Sequence, residues 1–245
     1  MKIENKSFWE NKDVIVTQDN TTYITNFEQF MFQNSKERYA DFGEIKNIRV
    51  FGCGTGRELK GIFEYFNPVQ ITASDISENM IIKCQQNLKN WNIDHITKTV
   101  VGDAKDFKSN VKFELVTILN SMLTYVPLKI DRLTIFKNAY QIIVPDGVII
   151  GTVHNQVGVP SKTIYFKLKN LLSVFLGEKT GNRNTGFKGF KVKGYYYTKK
   201  GLLDDLNETG FKNVEVYSLE EFSKNNGMNY NRKKGYNNLI FIASK

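Results

Sequence analysis

Cysteine and histidine are scarce in this chain of 245 residues. The cysteines are Cys53 and Cys84, and the histidines are His95 and His154. Two cysteines do not make a disulfide framework, so the sequence predicts a protein of the reducing cytoplasm. A structural zinc site takes four Cys or His ligands brought close together, and these four residues are spread along the chain. We therefore predict no metal site.

Long apolar runs are also missing. No stretch approaches the roughly 20 apolar residues that a membrane-spanning helix needs. The first residues, Met1–Lys6, have no apolar core of the secretory kind behind them. Hydrophobic residues still make up 41% of the chain, which predicts a soluble folded protein rather than a disordered one. The length fits one domain spanning residues 1–245.

Acidic residues are nearly absent from one segment. Between Ser161 and Lys200 the sequence has ten lysines and arginines and a single acid, Glu178. That segment carries a net charge of +9, which equals the net charge of the whole chain. The positive charge is therefore a local feature, and a local basic field attracts anions.

The most informative motif is a glycine-rich turn with the sequence FGCGTGRE at residues 51–58. Gly52, Gly54 and Gly56 follow the apolar run Ile48–Phe51 and precede a helix-forming stretch, Arg57–Phe66. Glycine accepts positive φ angles and has no side chain to keep a ligand from the backbone. The helix behind the turn offers free N–H groups and a positive dipole end. The motif predicts a strand, a turn that a cofactor touches, and a helix.

Apolar runs then alternate with helical stretches, which is typical of a doubly wound, mostly parallel sheet with helices on both faces. The predicted strands are Ile48–Phe51, Val69–Ser74, Thr97–Val101, Phe113–Leu119, Val148–Val153, Val214–Tyr217 and Leu239–Ala243. The predicted helices are Arg57–Phe66, Glu78–Trp91, Leu128–Ile143 and a helix that Thr198 caps at its start and that runs to Glu208. Pro145–Gly147 is a turn signal before the fifth strand. Residues 1–45 form a largely helical lead-in, and residues 155–196 form an insertion without sheet-like order.

The order of these signals resembles the class I S-adenosylmethionine (SAM) dependent methyltransferases from about residue 45 to residue 245. The resemblance implies an α/β fold with seven strands, the last one antiparallel, and SAM as the cofactor with S-adenosylhomocysteine as its product. It also implies a cofactor site at the ends of the first four strands. The site residues so implied are Phe51, Gly52, Cys53, Gly54, Gly56, Asp75, Ile76, Asp103, Ala104, Asn120 and Ser121.

Roles follow from the resemblance for several of these. Asp75 would accept both ribose hydroxyls, Ile76 would pack on the adenine, and Asp103 would accept from the adenine amino group. Family members often carry an acid two residues before the first glycine, where this chain has Val50. Open alternatives are a dinucleotide or ligand-free turn, a helix-dipole role for Asp75 and a capping role for Asp103.

Two residues are candidates for the chemistry. His154 ends the fifth predicted strand at the same sheet edge as Asp75, and an imidazole suits proton transfer near neutral pH. It is either a general base or a contact that orients the substrate. Tyr125 follows the fourth strand, and it either donates a hydrogen bond to the substrate or lines the pocket.

The insertion at 155–196 occupies the place where this family builds substrate caps, and the lead-in at 1–45 is expected to cover the cofactor. Apolar residues at positions 164, 168, 171, 172 and 175 fit one face of a helix. That face would pack on the domain, form a homodimer contact, or lie as a basic amphipathic helix on a membrane or lipid.

The resulting hypothesis is a methyltransferase that moves a methyl group from SAM to an N or O atom of a small anionic metabolite or conjugate. One alternative is an RNA methyltransferase whose basic insertion follows the phosphates. Another is a non-catalytic protein with the SAM-binding fold that binds a partner.

Overall fold

The computed structural model describes residues 2–19, 24–176, 181–187, 190–233 and 237–245. The strands in these ranges are β1 (Asn47–Phe51), β2 (Gln70–Asp75), β3 (Thr97–Val101), β4 (Phe113–Ile118), β5 (Ile143–His154), β6 (Asn182–Phe187), β7 (Phe190–Tyr195), β8 (Lys212–Ser218) and β9 (Asn238–Ser244). The helices are α1 (Lys2–Trp9), α2 (Lys12–Asp19), α3 (Asn26–Tyr39), α4 (Arg57–Phe66), α5 (Glu78–Asn90), α6 (Lys129–Ile142), α7 (Pro160–Leu176), α8 (Lys199–Glu208) and α9 (Leu219–Asn225).

Within the described chain, seven strands form one sheet in the order β3-β2-β1-β4-β5-β9-β8. The pairs from β3 to β5 are parallel, and β9 runs antiparallel to both β5 and β8. The strand order reverses between β1 and β4, and ligands bind open α/β sheets at the carboxyl ends of the strands beside such a reversal. The predicted fold class, including the antiparallel last strand, is confirmed.

Helices cover both faces of this sheet. One buried cluster joins α3, α4, α5 and α9 to the sheet, and its largest members include Met31, Phe32 and Leu59. The other joins α6 and α8 to the opposite face, around Phe136 and Leu206. The strands between them read as nearly continuous apolar runs because both of their faces are buried.

Side chains that cap the helices fix where several of them begin. The Ser77 hydroxyl accepts from the Met80 N–H at 3.1 Å at the start of α5. The Thr198 hydroxyl accepts from the Gly201 N–H at 3.0 Å at the start of α8, as the sequence predicts. Among the described residues, none of the helices combines the length and the apolarity that crossing a membrane requires.

Two local predictions at the fifth strand and the insertion are wrong. Pro145–Gly147 does not precede the fifth strand but lies inside β5, where Asp146 takes a φ of +61° and the pairing with β4 shifts register. The insertion does contain sheet structure, because β6 and β7 pair as an antiparallel hairpin. The segment Phe190–Tyr195 alternates apolar and lysine residues, and this period-2 signal is masked by its glycines and its charge.

The apolar face of α7 is not packed on the domain where side chains are described. Ile164, Leu168, Leu171 and Leu172 are each more than half exposed, whereas Phe166 on another face of the helix is 1% exposed. The side chain at position 175 lies outside the described part. The helix therefore docks through Phe166 and leaves the predicted apolar stripe in solvent.

Candidate active site

A cavity of about 190 Å³ opens at the carboxyl ends of β1, β2 and β4. Its lining includes Gly52, Gly54, Asp75, Ile76 and Asn120. All of these follow strands that meet where the strand order reverses, which is where an open α/β sheet binds its ligand. The topology thus brings together residues that lie up to 68 positions apart in the sequence.

The glycine turn forms the floor of the cavity. Gly52 and Gly54 have φ angles of +69° and +53°, which are unfavourable for other residues. A Cβ atom on Gly52 would lie 2.5 Å from Cγ of Met122, whereas a Cβ on Gly54 would meet no atom within 4 Å. Gly52 therefore lacks a side chain because Met122, in the loop after β4, packs against it. The space above the Gly54 backbone is open, and a ligand can fill it.

Asp75 joins the end of β2 to this turn. Its Oδ2 accepts from the Gly54 N–H at 2.9 Å and its Oδ1 accepts from the Ser77 N–H at 2.9 Å. Burial raises the pKa of the Asp75 carboxyl, and these backbone N–H groups act in the opposite direction. A carboxylate has about four acceptor positions, so Asp75 holds the turn in place and still offers an oxygen to hydroxyl groups in the cavity.

Asp103 and Ala104 line the same cavity after β3. The Asp103 Oδ1 accepts from the Lys105 N–H at 3.1 Å, and its Oδ2 lies 3.3 Å from the Lys105 Nζ. Asp103 therefore does cap the segment that follows it, as one alternative predicted. Its carboxylate still has acceptor positions that Lys105 does not use.

The loop after β4 is strained at two consecutive residues. Asn120 and Ser121 have φ angles of +52° and +56°, in the left-handed region that costs a non-glycine residue energy. The Ser121 N–H donates to the Thr152 hydroxyl at 2.8 Å, which holds the strained backbone against β5. Asn120 lines the cavity, whereas Ser121 is buried behind it. Such strain clusters at ligand sites.

The remaining cofactor candidates lie behind the cavity wall. Phe51 is fully buried and packs edge-on against Phe107. Cys53 is 2% exposed, and its contact with Cys84, together with burial, raises the pKa of its thiol. Gly56 caps the start of α4 with a φ of +90°. These residues shape the turn, and their predicted contact with the cofactor stays a prediction.

The lead-in forms one wall of the cavity. The sequence predicted that residues 1–45 cover the cofactor, but not which of them line the cavity. Asn5, Trp9 and Gln18 line the cavity. Trp9 packs edge-on against Tyr125 with ring centroids 4.8 Å apart, and its carbonyl accepts from the Ser77 hydroxyl at 3.1 Å. The Glu10 carboxylate accepts from the Glu78 N–H at 2.9 Å, at the start of α5. The aromatic content of residues 1–45 was the available signal.

Tyr125 lines the cavity and His154 lies behind it. Burial raises the pKa of the Tyr125 phenol to about 12, so the phenol keeps its proton. The ring centroids of Tyr125 and His154 are 6.3 Å apart. Burial, with the charges of Lys162 and Arg183, lowers the pKa of His154 to about 4, so its imidazole is neutral at pH 7. A base with so low a pKa has little driving force for proton abstraction.

Charged side chains are buried on the other side of the glycine turn. Arg57, the first residue of α4, forms an ion pair with Glu28 of α3, and both side chains are less than a tenth exposed. Glu58 is 2% exposed, and burial raises the pKa of its carboxyl to about 7. Val50, at the position where the resemblance leads one to expect an acid, is fully buried in β1.

The comparisons with known proteins agree with this fold. Residues 48–147 match a family model described as "Methyltransferase domain". Carboxy-S-adenosyl-L-methionine synthase of Shewanella baltica is 29% identical over 116 residues, and the same enzyme of Shewanella pealeana is 32% identical over 102 residues. These alignments cover 46% and 42% of this chain, and 46% and 37% of the relatives. The chain thus spans less than half the length of the curated relatives it matches.

Solved structures match over nearly the whole chain at low identity. The N-methyltransferase NodS of Bradyrhizobium japonicum, in complex with S-adenosyl-L-homocysteine, has a TM-score of 0.61 at 14% identity and covers 99% of this chain and 98% of its own. An S-adenosylmethionine-dependent methyltransferase of Clostridium acetobutylicum has a TM-score of 0.61 at 13% identity, with coverage of 88% and 91%. The predicted resemblance to methyltransferases is confirmed by the family model over residues 48–147, and the predicted fold is confirmed over nearly the whole chain by the solved structures.

Proposed function

We propose that this chain binds SAM in the cavity beside Asp75. The proposal follows from its match to a methyltransferase domain and from its class I methyltransferase fold. In this proposal the enzyme transfers a methyl group to an N or O atom of a small anionic metabolite. The observation that carries the cofactor assignment is the Asp75 carboxylate, which lines the cavity and accepts from the Gly54 N–H at 2.9 Å.

The described residues fit this cofactor. The open space over Gly54 suits close approach of the methionine part to the backbone, and the oxygens of Asp75 suit the ribose hydroxyls. Ile76 offers an apolar surface to the adenine, and Asp103 offers an acceptor to its amino group. When bound, SAM supplies a methyl group already activated by the positive sulfur. The matching carboxy-SAM synthases support this class of cofactor, although the match spans less than half of this chain.

The protein must then position the acceptor atom near the methyl group and allow the acceptor N–H or O–H to lose its proton. Tyr125 keeps its proton and faces the cavity, so it can donate a hydrogen bond to an acceptor molecule. His154 lies behind Tyr125, with the two ring centroids 6.3 Å apart, and its imidazole is neutral at pH 7. In the absence of a bound anion, this geometry favours orientation of the substrate by His154 over proton abstraction.

Titration calorimetry with S-adenosylhomocysteine tests the cofactor assignment. We expect Asp75→Ala to weaken binding about 10- to 100-fold, because a hydrogen bond to a charged group contributes about 1.5–3 kcal/mol. Asp94→Ala removes an equally charged but exposed residue and should leave the affinity unchanged. A wild-type protein that gives no binding heat would refute the assignment.

A transfer assay with methyl-labelled SAM tests the acceptor class. We expect the label to enter small anionic metabolites separated from a cell extract by anion exchange. Label that enters bulk tRNA instead, with an affinity that falls steeply with salt, would support the RNA alternative and contradict the small-molecule proposal.

A further inference from the structure

The basic insertion brings two cations to the same buried aromatic ring. Lys162 of α7 has its Nζ 5.6 Å from the ring centroid of Tyr196, and Arg183 of β6 has its Cζ 5.6 Å from that centroid. Tyr196 itself is 2% exposed. Both cations are partly buried, and part of each side chain remains accessible from solvent. α7 and β6 therefore each bring a positive charge to the same aromatic ring.

Neither cation is neutralised within the part of the chain that the structure describes. No ion pair there involves Lys162 or Arg183, although many other lysines, such as Lys199 with Glu221, do pair with a carboxylate. The Lys162 Nζ donates to the Asn237 side-chain oxygen at 2.9 Å. The Arg183 Nη1 is buried, and no described residue accepts from it. A buried charged group without a partner costs free energy, so among the described residues this arrangement lacks a negative charge.

A second unpartnered polar atom belongs to a ring that packs against Tyr196. The ring centroid of His154 lies 5.1 Å from that of Tyr196, and the His154 Nδ1 is buried with no hydrogen-bond partner among the described residues. On its other side His154 contacts Tyr125, which lines the cavity at β1, β2 and β4. A continuous row of rings thus connects the cavity to the two cations.

We propose that Lys162, Arg183 and His154 form a subsite that binds an oxyanion of the acceptor molecule, a carboxylate or a phosphate. This inference rests on the proposed function, and it adds where the anionic group of the acceptor lies. An arginine fork and an ammonium group together match the geometry of such an oxyanion. The acceptor molecule must then be long enough to reach from the cavity to Tyr196. Its anionic group lies near Tyr196, and the atom that is methylated lies on the cavity side of Tyr125.

The subsite also links the acceptor to the state of His154. The groups that face this imidazole are Tyr125, Tyr196, Lys162 and Arg183. The two cations help to keep it neutral. An oxyanion bound between them brings the opposite charge and raises the pKa of His154 towards neutral pH. An imidazolium formed in this way would add a third positive charge to the subsite and hold the oxyanion more tightly.

Nuclear magnetic resonance of the histidine rings tests the subsite, because the chain has only two histidines. His95 is exposed and serves as the internal reference. The probe is sodium sulfate, with sodium chloride at equal ionic strength as the control. We expect sulfate to shift the His154 ring signal saturably and to raise its pKa by about one pH unit or more, while His95 responds equally to both salts.

Variants assign the effect to the proposed residues. We expect Arg183→Gln and Lys162→Gln each to reduce the sulfate affinity at least tenfold, and Lys167→Gln, on an exposed position of the same helix, to leave it unchanged. Binding of S-adenosylhomocysteine on the same samples shows that each variant is folded. If either variant fails to fold, the other still gives the test.

The two proposals fail in different ways. Wild-type protein that binds S-adenosylhomocysteine but shows no sulfate response at His154 would refute the subsite and leave the proposed function standing. A sulfate response without S-adenosylhomocysteine binding would support the anion subsite and refute the cofactor assignment. An equal loss of sulfate binding in Lys167→Gln would reduce the effect to general surface charge and overturn the subsite.

Discussion

The buried Glu58 carboxyl makes the stability of this protein depend on pH in a direction that can be worked out in advance. Glu58 lies in the first turn of α4 behind the glycine turn, and its Oε1 has no hydrogen-bond partner among the described residues. Burial raises its pKa from the ordinary 4.5 to about 7, the charge of Arg57 opposes this, and the carboxylates of Glu28 and Asp75 add to it.

The sign follows from where the proton is held. Between pH 4.5 and about pH 7, folded Glu58 keeps a proton that the unfolded chain has already released. Stability therefore falls as the pH rises through this window, by about 1.4 kcal/mol per pH unit. Over the whole window the loss amounts to about 3 kcal/mol. It is absent below pH 4.5 and complete above pH 7.

Glu58→Gln removes this titration, because the amide is neutral at every pH. We expect the variant and the wild type to differ little at pH 4.5, and the variant to be more stable by about 3 kcal/mol at pH 8. Urea unfolding at pH 4.5, 6 and 8 measures the difference. Glu64→Gln changes an exposed glutamate on the same helix and should shift stability by less than about 0.5 kcal/mol at each pH. A Glu58→Gln difference that stays constant with pH would refute the reasoning.

Two further predictions concern the turn and the ion pair behind it. Gly52→Ala places a Cβ 2.5 Å from Met122 at a φ of +69°, so we expect calorimetry to show at least tenfold weaker S-adenosylhomocysteine binding. Gly43→Ala is the control, because Gly43 also has a positive φ but has open space around it, and this variant should bind normally. Equal losses of affinity in the two variants would contradict this account. Arg57→Met leaves Glu28 buried without its partner and should cost about 3–5 kcal/mol in urea unfolding. Glu28→Gln in the same chain should recover part of that cost, and no recovery would show that packing, not charge, is lost.

Much of the fold could be predicted because its signals are local. The apolar runs, the glycine turn and the Thr198 cap each act within a few residues, so β1 and α8 appear in the sequence almost as they are in the structure. The hairpin β6–β7 and the length of β5 could not be read in this way. Lysines and glycines mask the alternation in Phe190–Tyr195. Pro145–Gly147 form an irregularity inside β5, between Ile143 and Val148, which both pair with β4.

The site was predictable where it depends on one strand end and unpredictable where it depends on distant segments. Gly54 and Asp75 follow their strands directly and do line the cavity. Asn5 and Gln18 line it too, but their positions depend on how α1 and α2 dock against Tyr125 and Asn120. The positive φ angles at Asn120 and Ser121 likewise occur in a loop that the hydrogen bond from Ser121 to Thr152 joins to β5, a contact that no local pattern encodes.

The docking of the lead-in gives the cavity a thermodynamic property of its own. Trp9 and Gln18 form part of the wall, and polar contacts hold the lead-in to the domain, among them the Ser77 hydroxyl to the Trp9 carbonyl, the Glu10 carboxylate at the start of α5 and the ion pair of Asp19 with Lys83. A ligand that fills the cavity rests on these helices, so its apparent affinity is reduced by whatever fraction of molecules has the lead-in undocked. Substitutions in residues 2–19 that never touch the ligand will therefore change how tightly, and for how long, it is held.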